Sequence, residues 1–399
     1  MLDRRSFHLL WVSQGLSNAG DVFYIVALIS LVFSSTHNAL SLSLIPVTIT
    51  FSRLAGSLAA PLLIDRFKLK QILVQSMSGK TLLLFVVFAL SGAPLTMILV
   101  LVSMNAFLDG FASPTRNAMI PDLAGDRHLE KANSLISITD NGVNIASWPL
   151  GALFVTVFSE RPLLGVTVII YGTAVVLMLG VRHTGLKVSM GRQSFFTKIS
   201  DGWKISWKHS TLRSLFFIDF LTAFAGSVWI SAILYVYVDE ILGKGEAWWG
   251  YINSAYSVGF LIGGYLFYRF TRLPLHKAVI WGLMLTGIGT ILFTYPFSST
   301  WSLIVSLFLG IVGQIQGIAM LTILQTNANR EKLAHIFSAQ DVVITGTFGV
   351  GTLLFGWLAE ERGIETVFLA AAALSFVCGV FAVRKQDVLI RGNARPADV

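Results

Sequence analysis

The chain contains 399 residues, of which 54% are hydrophobic and only 13% are charged. Soluble globular proteins carry about 25% charged residues and disordered chains contain few apolar ones, so the composition excludes both classes. The apolar residues fall into runs of about 20, the length that crosses a hydrocarbon layer about 30 Å thick. The formal charge of +8 is typical of basic loops beside a membrane, and we predict no nucleic-acid partner. We therefore predict a polytopic helical membrane protein.

Twelve membrane-spanning helices are predicted, called spans 1 to 12 in chain order: 7–33, 39–64, 72–92, 95–116, 132–158, 163–182, 211–238, 248–269, 275–294, 300–324, 334–358 and 364–383. Span 1 is too long for a cleaved signal peptide. If the N-terminus is cytoplasmic, 24 of the 29 Lys and Arg residues lie in cytoplasmic segments, three lie outside, and Arg53 and Lys80 lie within spans. This bias predicts that both termini are cytoplasmic, and it supports the count of twelve.

The longest polar stretch divides the chain. We predict an N-terminal six-helix bundle over 1–182, a cytoplasmic linker over 183–210, a C-terminal six-helix bundle over 211–384 and a cytoplasmic tail over 385–399. Five apolar residues of the linker recur at helical spacing among three lysines: Phe195, Phe196, Ile199, Trp203 and Trp207. This pattern predicts an amphipathic helix on the inner leaflet, and a plain linker is the alternative.

The two halves of the chain repeat. A shift of 203 residues places Gly56 on Gly259, Arg66 on Arg269 and Phe67 on Phe270, and it also maps spans 4 and 5 onto spans 10 and 11. Two parallel six-helix halves predict a substrate site near the middle of the membrane, where the halves meet.

Several motifs resemble the major facilitator superfamily, whose members have twelve spans in two halves and a basic central loop. The loop Asp65-Arg66-Phe67-Lys68-Leu69-Lys70 is similar to the signature of that superfamily between helices 2 and 3. Three segments resemble the helix 4–5 region of the branch that holds macrolide-efflux and siderophore-exporter-like proteins: Ser113–Ala118, Ile120–Leu123 and Ala132–Ser134. That branch also places polar residues at the positions of Asn18–Asp21, Arg53 and Lys80. The resemblance implies an all-α membrane protein of two pseudo-symmetric six-helix bundles, the major facilitator fold.

Some residues depart from the family pattern. Pro61 replaces the Gly that opens the signature, and Lys68 replaces the Gly within it. Trp148, before Pro149, stands where the Gly-Pro motif of antiporters has a Gly. This motif therefore does not by itself predict antiport.

Asp21 lies about halfway along span 1, on a polar face that it shares with Gln14 and Asn18. Arg53 lies about halfway along span 2, so the two charges are expected at similar depth and can pair. An acid in a span costs roughly 2.5–3.5 kcal/mol near the bilayer centre and must face the protein interior or water. Two interpretations follow: a structural ion pair between the helices, or an acid whose protonation is coupled to transport.

Asp109 and Asp219 are further acids within spans. The resemblance implies that spans 4 and 7 line a central cavity, so we predict that Asp109 and the nearby Asn105 bind a cationic substrate or a proton. A hydrogen-bonded structural acid is the alternative. Asp219 shares a face of span 7 with Thr222, Gly226 and Trp229. Asp219 lies nearer the cytoplasmic end of the span. A structural role in contact with water is therefore an equal alternative to substrate binding.

Asp140 and Asp341 occupy equivalent polar stripes of spans 5 and 11. The resemblance implies that these spans cross between the halves, so we predict that the two acids form cytoplasmic gate contacts, with cavity binding as the alternative. The loop residues Asp65, Arg66 and Lys70 are assigned to the same gate. By the resemblance, Asp65 faces the N-terminal end of span 11, where a helix dipole favours a carboxylate.

Span 10 contains Gln314 and Gln316, which lie ~200° apart around the helix, so only one can face a central cavity. We predict that this residue is Gln314, because Gly310 and Gly317 share its side. Three aromatic residues are also placed near the substrate: Phe23, Tyr24 and Trp229.

Other chemistries have weaker support. Ser78–Thr81 reads like the end of a phosphate-binding loop, but the upstream Gly is missing and the segment lies inside a span, so no nucleotide is predicted. The seven His lie at helix ends or loops, and the single Cys, Cys378, lies in an apolar run, so we predict no metal site and no cofactor. No hydrolase-like cluster is visible, which makes an enzyme the weaker hypothesis. A non-transporting sensor is a further alternative.

The combined prediction is a secondary active transporter of the cell membrane. We expect it to export amphipathic small molecules, drugs or siderophore-like compounds, by proton-coupled alternating access. The alternative is a carrier for another solute class, such as a lysolipid, a metal or a metabolite, by uptake as well as export. The expected partners are the small-molecule substrate, protons and the lipid bilayer, and we expect a monomer.

Overall fold

A computed structural model describes residues 4–36, 39–64, 66–90, 94–182, 195–229, 231–245, 247–270 and 273–391. The regular elements among them are helices: α1 Arg4–Thr36, α2 Ala39–Ile64, α3 Leu69–Ala89, α4 Leu95–Asp109, α5 Ala112–Ala124, α6 Leu129–Phe158, α7 Glu160–Leu179, α8 Phe195–Lys208, α9 Ser210–Gly226, α10 Ser231–Glu240, α11 Ala247–Arg269, α12 Leu275–Thr294, α13 Ser299–Asn327, α14 Leu333–Arg362, α15 Ile364–Arg384 and α16 Gln386–Arg391, with three short 3₁₀ turns. Helices dominate because a lipid core offers no water to hydrogen-bond the backbone.

Eleven helical stretches of the described chain are long and apolar enough to cross a membrane, and they correspond to predicted spans 1–7 and 9–12. Predicted span 8 corresponds to α11, which is 23 residues long. At 1.5 Å per residue this helix is also long enough to cross, about 35 Å, although it is not among the eleven. The predicted all-α membrane fold is confirmed.

Two predicted spans are interrupted rather than continuous. Span 4 is divided into α4 and α5 at Gly110 and Phe111, directly after Asp109. Pro114 has no N–H to donate to the Gly110 carbonyl four residues earlier. The Ser57 hydroxyl donates to that carbonyl instead, at 3.0 Å. Span 7 is divided into α9 and α10 by the 3₁₀ turn Ser227–Trp229. The predicted bounds of spans 4 and 7 give no indication of these two interruptions.

Contacts divide the chain into two compact units. Unit 1 comprises Met1–Arg127, Gly142–Lys204 and Asn329–Asp341. Unit 2 comprises His128–Asn141, Ile205–Ala328 and Val342–Val399. The first part of α6 therefore packs with unit 2 and the first part of α14 packs with unit 1. The domain boundaries predicted from the linker place the whole of α6 in the N-terminal bundle and the whole of α14 in the C-terminal bundle, so they differ from these units at both helices.

A glycine crossing joins α2 to α4 in unit 1. A Cβ on Gly56 would overlap the carbonyl oxygen of Phe107, and a Cβ on Gly110 would overlap the carbonyl oxygen of Arg53. Only glycine permits backbones to approach this closely. The crossing fixes the register of the two helices, so that Arg53 of α2 lies beside the end of α4, where Asp109 is.

The same crossing joins α11 to α13 in unit 2. A Cβ on Gly259 would overlap the Leu307 carbonyl oxygen, and a Cβ on Gly310 would overlap the Tyr256 carbonyl oxygen. Gly259 is the residue that the shift of 203 aligns with Gly56. The internal repeat predicted from the sequence is therefore visible in the packing of each unit.

Candidate functional site: a buried charge cluster

Four charged side chains meet inside unit 1, and we call them the charge cluster: Asp21, Arg53, Lys80 and Asp109. The Lys80 amine lies 2.7 Å from a carboxylate oxygen of Asp21 and 2.7 Å from one of Asp109. The Arg53 guanidinium lies 2.6 Å from the other oxygen of Asp109. The cluster thus forms a continuous chain of alternating charges carried by α1, α3, α4 and α2.

Tyr171 of α7 extends the cluster at the Asp21 end. Its hydroxyl donates to Asp21 at 2.5 Å, on the same carboxylate oxygen that accepts from Lys80. The Lys80 amine also lies 4.9 Å from the centre of the Tyr171 ring. Lys80 is therefore held by two carboxylates and an aromatic ring, which compensates a cation that the membrane interior otherwise disfavours.

Small residues open the space that the cluster needs. A Cβ on Gly20 would lie only 2.7 Å from Cδ1 of Tyr171 and closer still to Cε1, so the ring can reach Asp21 only because residue 20 is glycine. Gly79, beside Lys80, has the Leu108 side chain 2.6 Å from where its Cβ would be. These glycines of α1 and α3 therefore set how closely the charged residues approach.

The charges of the cluster balance. Two carboxylates face two cations, and the Lys80 side chain is only 2% exposed. Removing one partner from such a group leaves an uncompensated charge, which typically destabilises by 3–5 kcal/mol. The cluster is consequently stable only as a whole, and any event that neutralises one member must disturb the others.

Exposure differs along the cluster. The Arg53 side chain is 48% exposed, whereas the Asp109 side chain is 14% exposed. Arg53 is the member that another cation could replace without first opening the interior of unit 1.

The predicted pairing of Asp21 with Arg53 is wrong. Asp21 pairs with Lys80, and Arg53 pairs with Asp109. The physical reason is the glycine crossing, which places α2 beside α4 and directs Arg53 to the end of α4. Asp109, for which the sequence indicates no ionic partner, has two cationic partners.

Polar residues on the same helices surround the cluster. Asn105 lies one turn before Asp109, is 4% exposed, and lies beside the hydroxyl of Tyr24. Tyr24, one turn after Asp21, is buried in the apolar core of unit 1. Asn18 is partly buried on α1. Asn18, Asn105 and Tyr24 therefore lie within one turn of a cluster carboxylate, on the same helix as that carboxylate.

Trp229 and Asp219 lie apart in unit 2. The Trp229 ring packs edge-on against Phe293 and Phe368, with centroids 4.8 and 5.2 Å apart. Trp229 thus packs against the aromatic core of unit 2, which also contains Tyr237. Asp219 is 7% exposed on α9.

Gln314 is buried against α11. It is 2% exposed, and a Cβ on Gly264 would lie 3.2 Å from its Nε2 atom. That nitrogen has no hydrogen-bond partner in the described part of the chain. Gln316 is also buried, and its amide donates to the sulfur of Met320 at 3.7 Å. Within unit 2, the side chain of Gln314 thus lies against α11.

The three loop residues predicted for the cytoplasmic gate, Asp65, Arg66 and Lys70, do not form one group of contacts among the described residues. Asp65 lies outside the described residues, and Arg66 is exposed. The Lys70 amine donates to the Leu179 carbonyl at 2.8 Å, at the end of α7. A cation at a helix C-terminus satisfies a carbonyl that has no partner within the helix. Lys70 therefore fastens α3 to α7 inside unit 1.

The first part of α14 contacts α2 and α5 within unit 1. The Ser338 hydroxyl donates to the Ser57 carbonyl. Arg330, in the 3₁₀ turn that precedes α14, forms an ion pair with Asp122 of α5 at 3.0 Å. Asp341 lies at the end of this segment, near Arg116 and the Ser113 hydroxyl. These contacts join the polar stripe of α14 to unit 1.

The first part of α6 makes the corresponding contacts within unit 2. The Asn133 amide donates to Gln325 at 2.7 Å and to Thr322 at 3.0 Å, both on α13. Asp140, two turns later on the same helix, is partly buried. The polar stripes of α6 and α14 thus end in defined hydrogen bonds at their N-terminal portions.

Unit 2 has no counterpart of the charge cluster at the repeated positions. Tyr256 occupies the place at the glycine crossing that Arg53 has in unit 1, and the shift of 203 places Leu283 on Lys80. The helix packing is repeated, but the charges belong to unit 1.

Two residues of the site have no predicted role in the sequence, Lys80 and Tyr171. The available signal for Lys80 was that a cation within a span needs a compensating acid. Tyr171 gives no such signal, because tyrosine is common in membrane spans and its approach to Asp21 depends on Gly20, 151 residues earlier.

A polytopic helical bundle with a repeated fold and ion pairs buried between its helices defines a class of membrane carriers. The model of the Major Facilitator Superfamily matches residues 10–339 and, in a second match, residues 215–397. The chain therefore belongs to the Major Facilitator Superfamily, and the protein is a membrane-embedded, multi-pass transporter.

Relatives and solved structures agree with this family. The chain is 26% identical to the MFS-type transporter YfmI of Bacillus subtilis (strain 168), over 94% of this chain and 95% of the relative. It is 23% identical to the multidrug efflux pump Tap of Mycolicibacterium fortuitum, over 92% of each. The fold resembles the crystal structure of the human organic anion transporter MFSD10 with a TM-score of 0.79, at 11% identity, over 95% of this chain and 99% of that one.

Proposed function

We propose that this protein is a secondary active transporter that exports amphipathic small molecules, drugs or siderophore-like compounds, by proton-coupled alternating access. The observation that carries the proposal is the charge cluster, whose two carboxylates are buried and balanced by Lys80 and Arg53. Similarity to the efflux pump Tap over most of the chain supports export.

The cluster supplies a physical link between a proton and the helices. Proton binding to Asp21 or Asp109 would cancel one negative charge and leave Lys80 or Arg53 uncompensated. An uncompensated cation in the membrane interior costs several kcal/mol, so the helices that carry it would shift until water or another counter-ion reaches it. A ligand that changes the relative stability of two conformations in this way drives the conversion between them.

Asp109 is the proposed meeting point of proton and substrate. Because Arg53 is half-exposed, the cationic group of a substrate can displace its guanidinium and pair with Asp109. A proton at Asp109 would remove that attraction and release the substrate. Competition between the two at a single carboxylate would couple the export of one to the import of the other.

Arg53 also favours a second candidate function. Its exposed guanidinium can pair with an anionic group, as in a lysolipid or a carboxylate-bearing metabolite, carried by uptake as well as export. The charge of the transported compound separates the two candidates.

Proteoliposomes that contain the purified protein test both. A pH gradient is imposed, and cationic, neutral and anionic amphiphiles of similar shape are added while the proton flux is followed with a pH-sensitive dye. Cation-dependent proton flux supports the first function, and anion-dependent flux supports the second. The Asp109→Asn variant should abolish the cation-dependent signal, whereas Asp239→Asn, at an exposed acid of α10, should retain it. Flux that is unchanged in Asp109→Asn would contradict the proposal.

A further inference from the structure

Two tryptophans and two lysines form an exposed surface on α8, and we call it the tryptophan–lysine face. Trp203 and Trp207 lie one turn apart and are 37% and 67% exposed. Lys204 and Lys208 follow them by one position each and are also exposed. Helices that lie in a membrane interface combine these residue types, since indole rings lie at the level of the headgroups and ammonium groups meet anionic lipids.

The opposite side of α8 is packed against α14. Gly202 is buried, and a Cβ there would overlap the carbonyl oxygen of His335 and lie 3.2 Å from the side chain of Ala339. His335 and Ala339 are one turn apart near the start of α14. Glycine at position 202 therefore lets α8 rest on α14, and the tryptophan–lysine face is directed away from this contact.

The position of α8 in the chain brings this face to the membrane surface. His209 alone separates α8 from α9, which begins a membrane-spanning stretch at Ser210. Trp207 precedes Ser210 by three residues, so it lies within about 10 Å of the end of that span. The distribution of Lys and Arg assigns this end to the cytoplasmic side, where the leaflet carries anionic lipids.

We propose that the tryptophan–lysine face binds the headgroups of anionic phospholipids in the adjacent leaflet. The chemistry is complementary, because two ammonium groups meet phosphate while the two indoles enter the boundary with the acyl chains. Since α8 rests on the segment of α14 whose Ser338 donates to α2, lipid binding stabilises this packing of α14 in unit 1.

The test uses the full chain in nanodiscs and fluorescence quenching by brominated lipids. The signal of the face is the difference between the wild type and the Trp203→Phe/Trp207→Phe variant, since the chain has ten Trp. Quenching is compared between brominated phosphatidylglycerol and brominated phosphatidylcholine at equal fractions. The expected result is stronger quenching of the wild type by the anionic lipid.

The Lys204→Gln/Lys208→Gln variant keeps both indoles and removes the charges. One Lys near an anionic surface contributes about a fivefold preference for anionic lipid. The preference for phosphatidylglycerol over phosphatidylcholine should therefore fall by up to about 25-fold in this variant. The matched control, Lys277→Gln/Lys385→Gln, removes two exposed lysines elsewhere and should keep the preference. Equal quenching of the wild type by both lipids, or quenching by neither, would overturn the proposal.

Discussion

Lys80 and Asp109 lie 2.7 Å apart in the interior of unit 1, and each has a second ionic partner. Lys80 also binds Asp21, and Asp109 also binds Arg53. This relationship turns two ion pairs into one chain of four charges, so a change at either end is transmitted to the other. The following predictions test the packing and the charges of this chain separately.

Lys80→Met should destabilise the protein by about 3–5 kcal/mol, because two buried carboxylates lose their shared cation. The apparent melting temperature in detergent measures this effect. Adding Asp21→Asn should restore part of the stability, since the remaining charges of Asp109 and Arg53 then balance. Lys277→Met, at an exposed lysine, is the matched control and should melt like the wild type. A Lys80→Met variant as stable as the wild type would show that the cluster does not bind Lys80 in the folded protein.

Gly20→Ala should destabilise the protein by about 1–3 kcal/mol and weaken transport, since the new methyl group overlaps the ring of Tyr171 and displaces its hydroxyl from Asp21. Gly172→Ala, beside Tyr171 on α7, is the control because no atom lies within 4 Å of its Cβ position. Melting temperature and transport rate are measured for both. Equal effects of the two substitutions would remove the steric explanation.

Gly56→Ala and Gly259→Ala should each destabilise the protein by about 3 kcal/mol, because both insert a methyl group between crossing backbones. Gly56→Ala alone should also change substrate binding, since its crossing positions Arg53 beside Asp109. Gly226→Ala and Gly346→Ala, which have open space at the Cβ position, serve as controls for thermal unfolding. If Gly259→Ala altered binding as strongly as Gly56→Ala, the site would not belong to unit 1.

Arg53→Gln should strengthen the binding of cationic compounds about tenfold, because Asp109 loses a competing cation while Lys80 remains. Dissociation constants are measured for a cation and for a neutral compound of similar shape. Arg384→Gln removes the same charge from an exposed position and should leave both constants unchanged. Weaker binding of both compounds in Arg53→Gln would assign Arg53 to direct substrate contact.

Much of the fold could be predicted from the sequence. Apolar run length and the distribution of basic residues identify the spans, and the alignment of Gly56 with Gly259 predicts the repeated packing. The breaks in spans 4 and 7 are not predictable from the local sequence. In span 4, the Gly110 carbonyl that Pro114 leaves without a helical donor accepts a hydrogen bond from Ser57, which lies on another helix.

The members of the site were partly predictable, but their pairing was not. Asp21, Arg53 and Asp109 are recognisable as charges within spans, whereas partner choice depends on how each helix is rotated. Gly56 and Gly110 set that rotation through contacts with carbonyl oxygens of the facing helix. Such contacts leave no local pattern, which is why the sequence suggests a pair of Arg53 with Asp21 and indicates no partner for Lys80.

The most direct measurement is transport by Asp21→Asn in proteoliposomes, with a pH gradient and, separately, by counterflow exchange without one. If the charge cluster couples protons to transport, the variant should lose gradient-driven transport, because without the Asp21 carboxylate Lys80 pairs with Asp109 alone and opposes protonation there. It should keep exchange, because exchange requires substrate binding but no net proton movement. Asp239→Asn, at an exposed acid, should retain both activities. Gradient-driven transport at the wild-type rate in Asp21→Asn would contradict this role and leave the cluster as a structural ion-pair network.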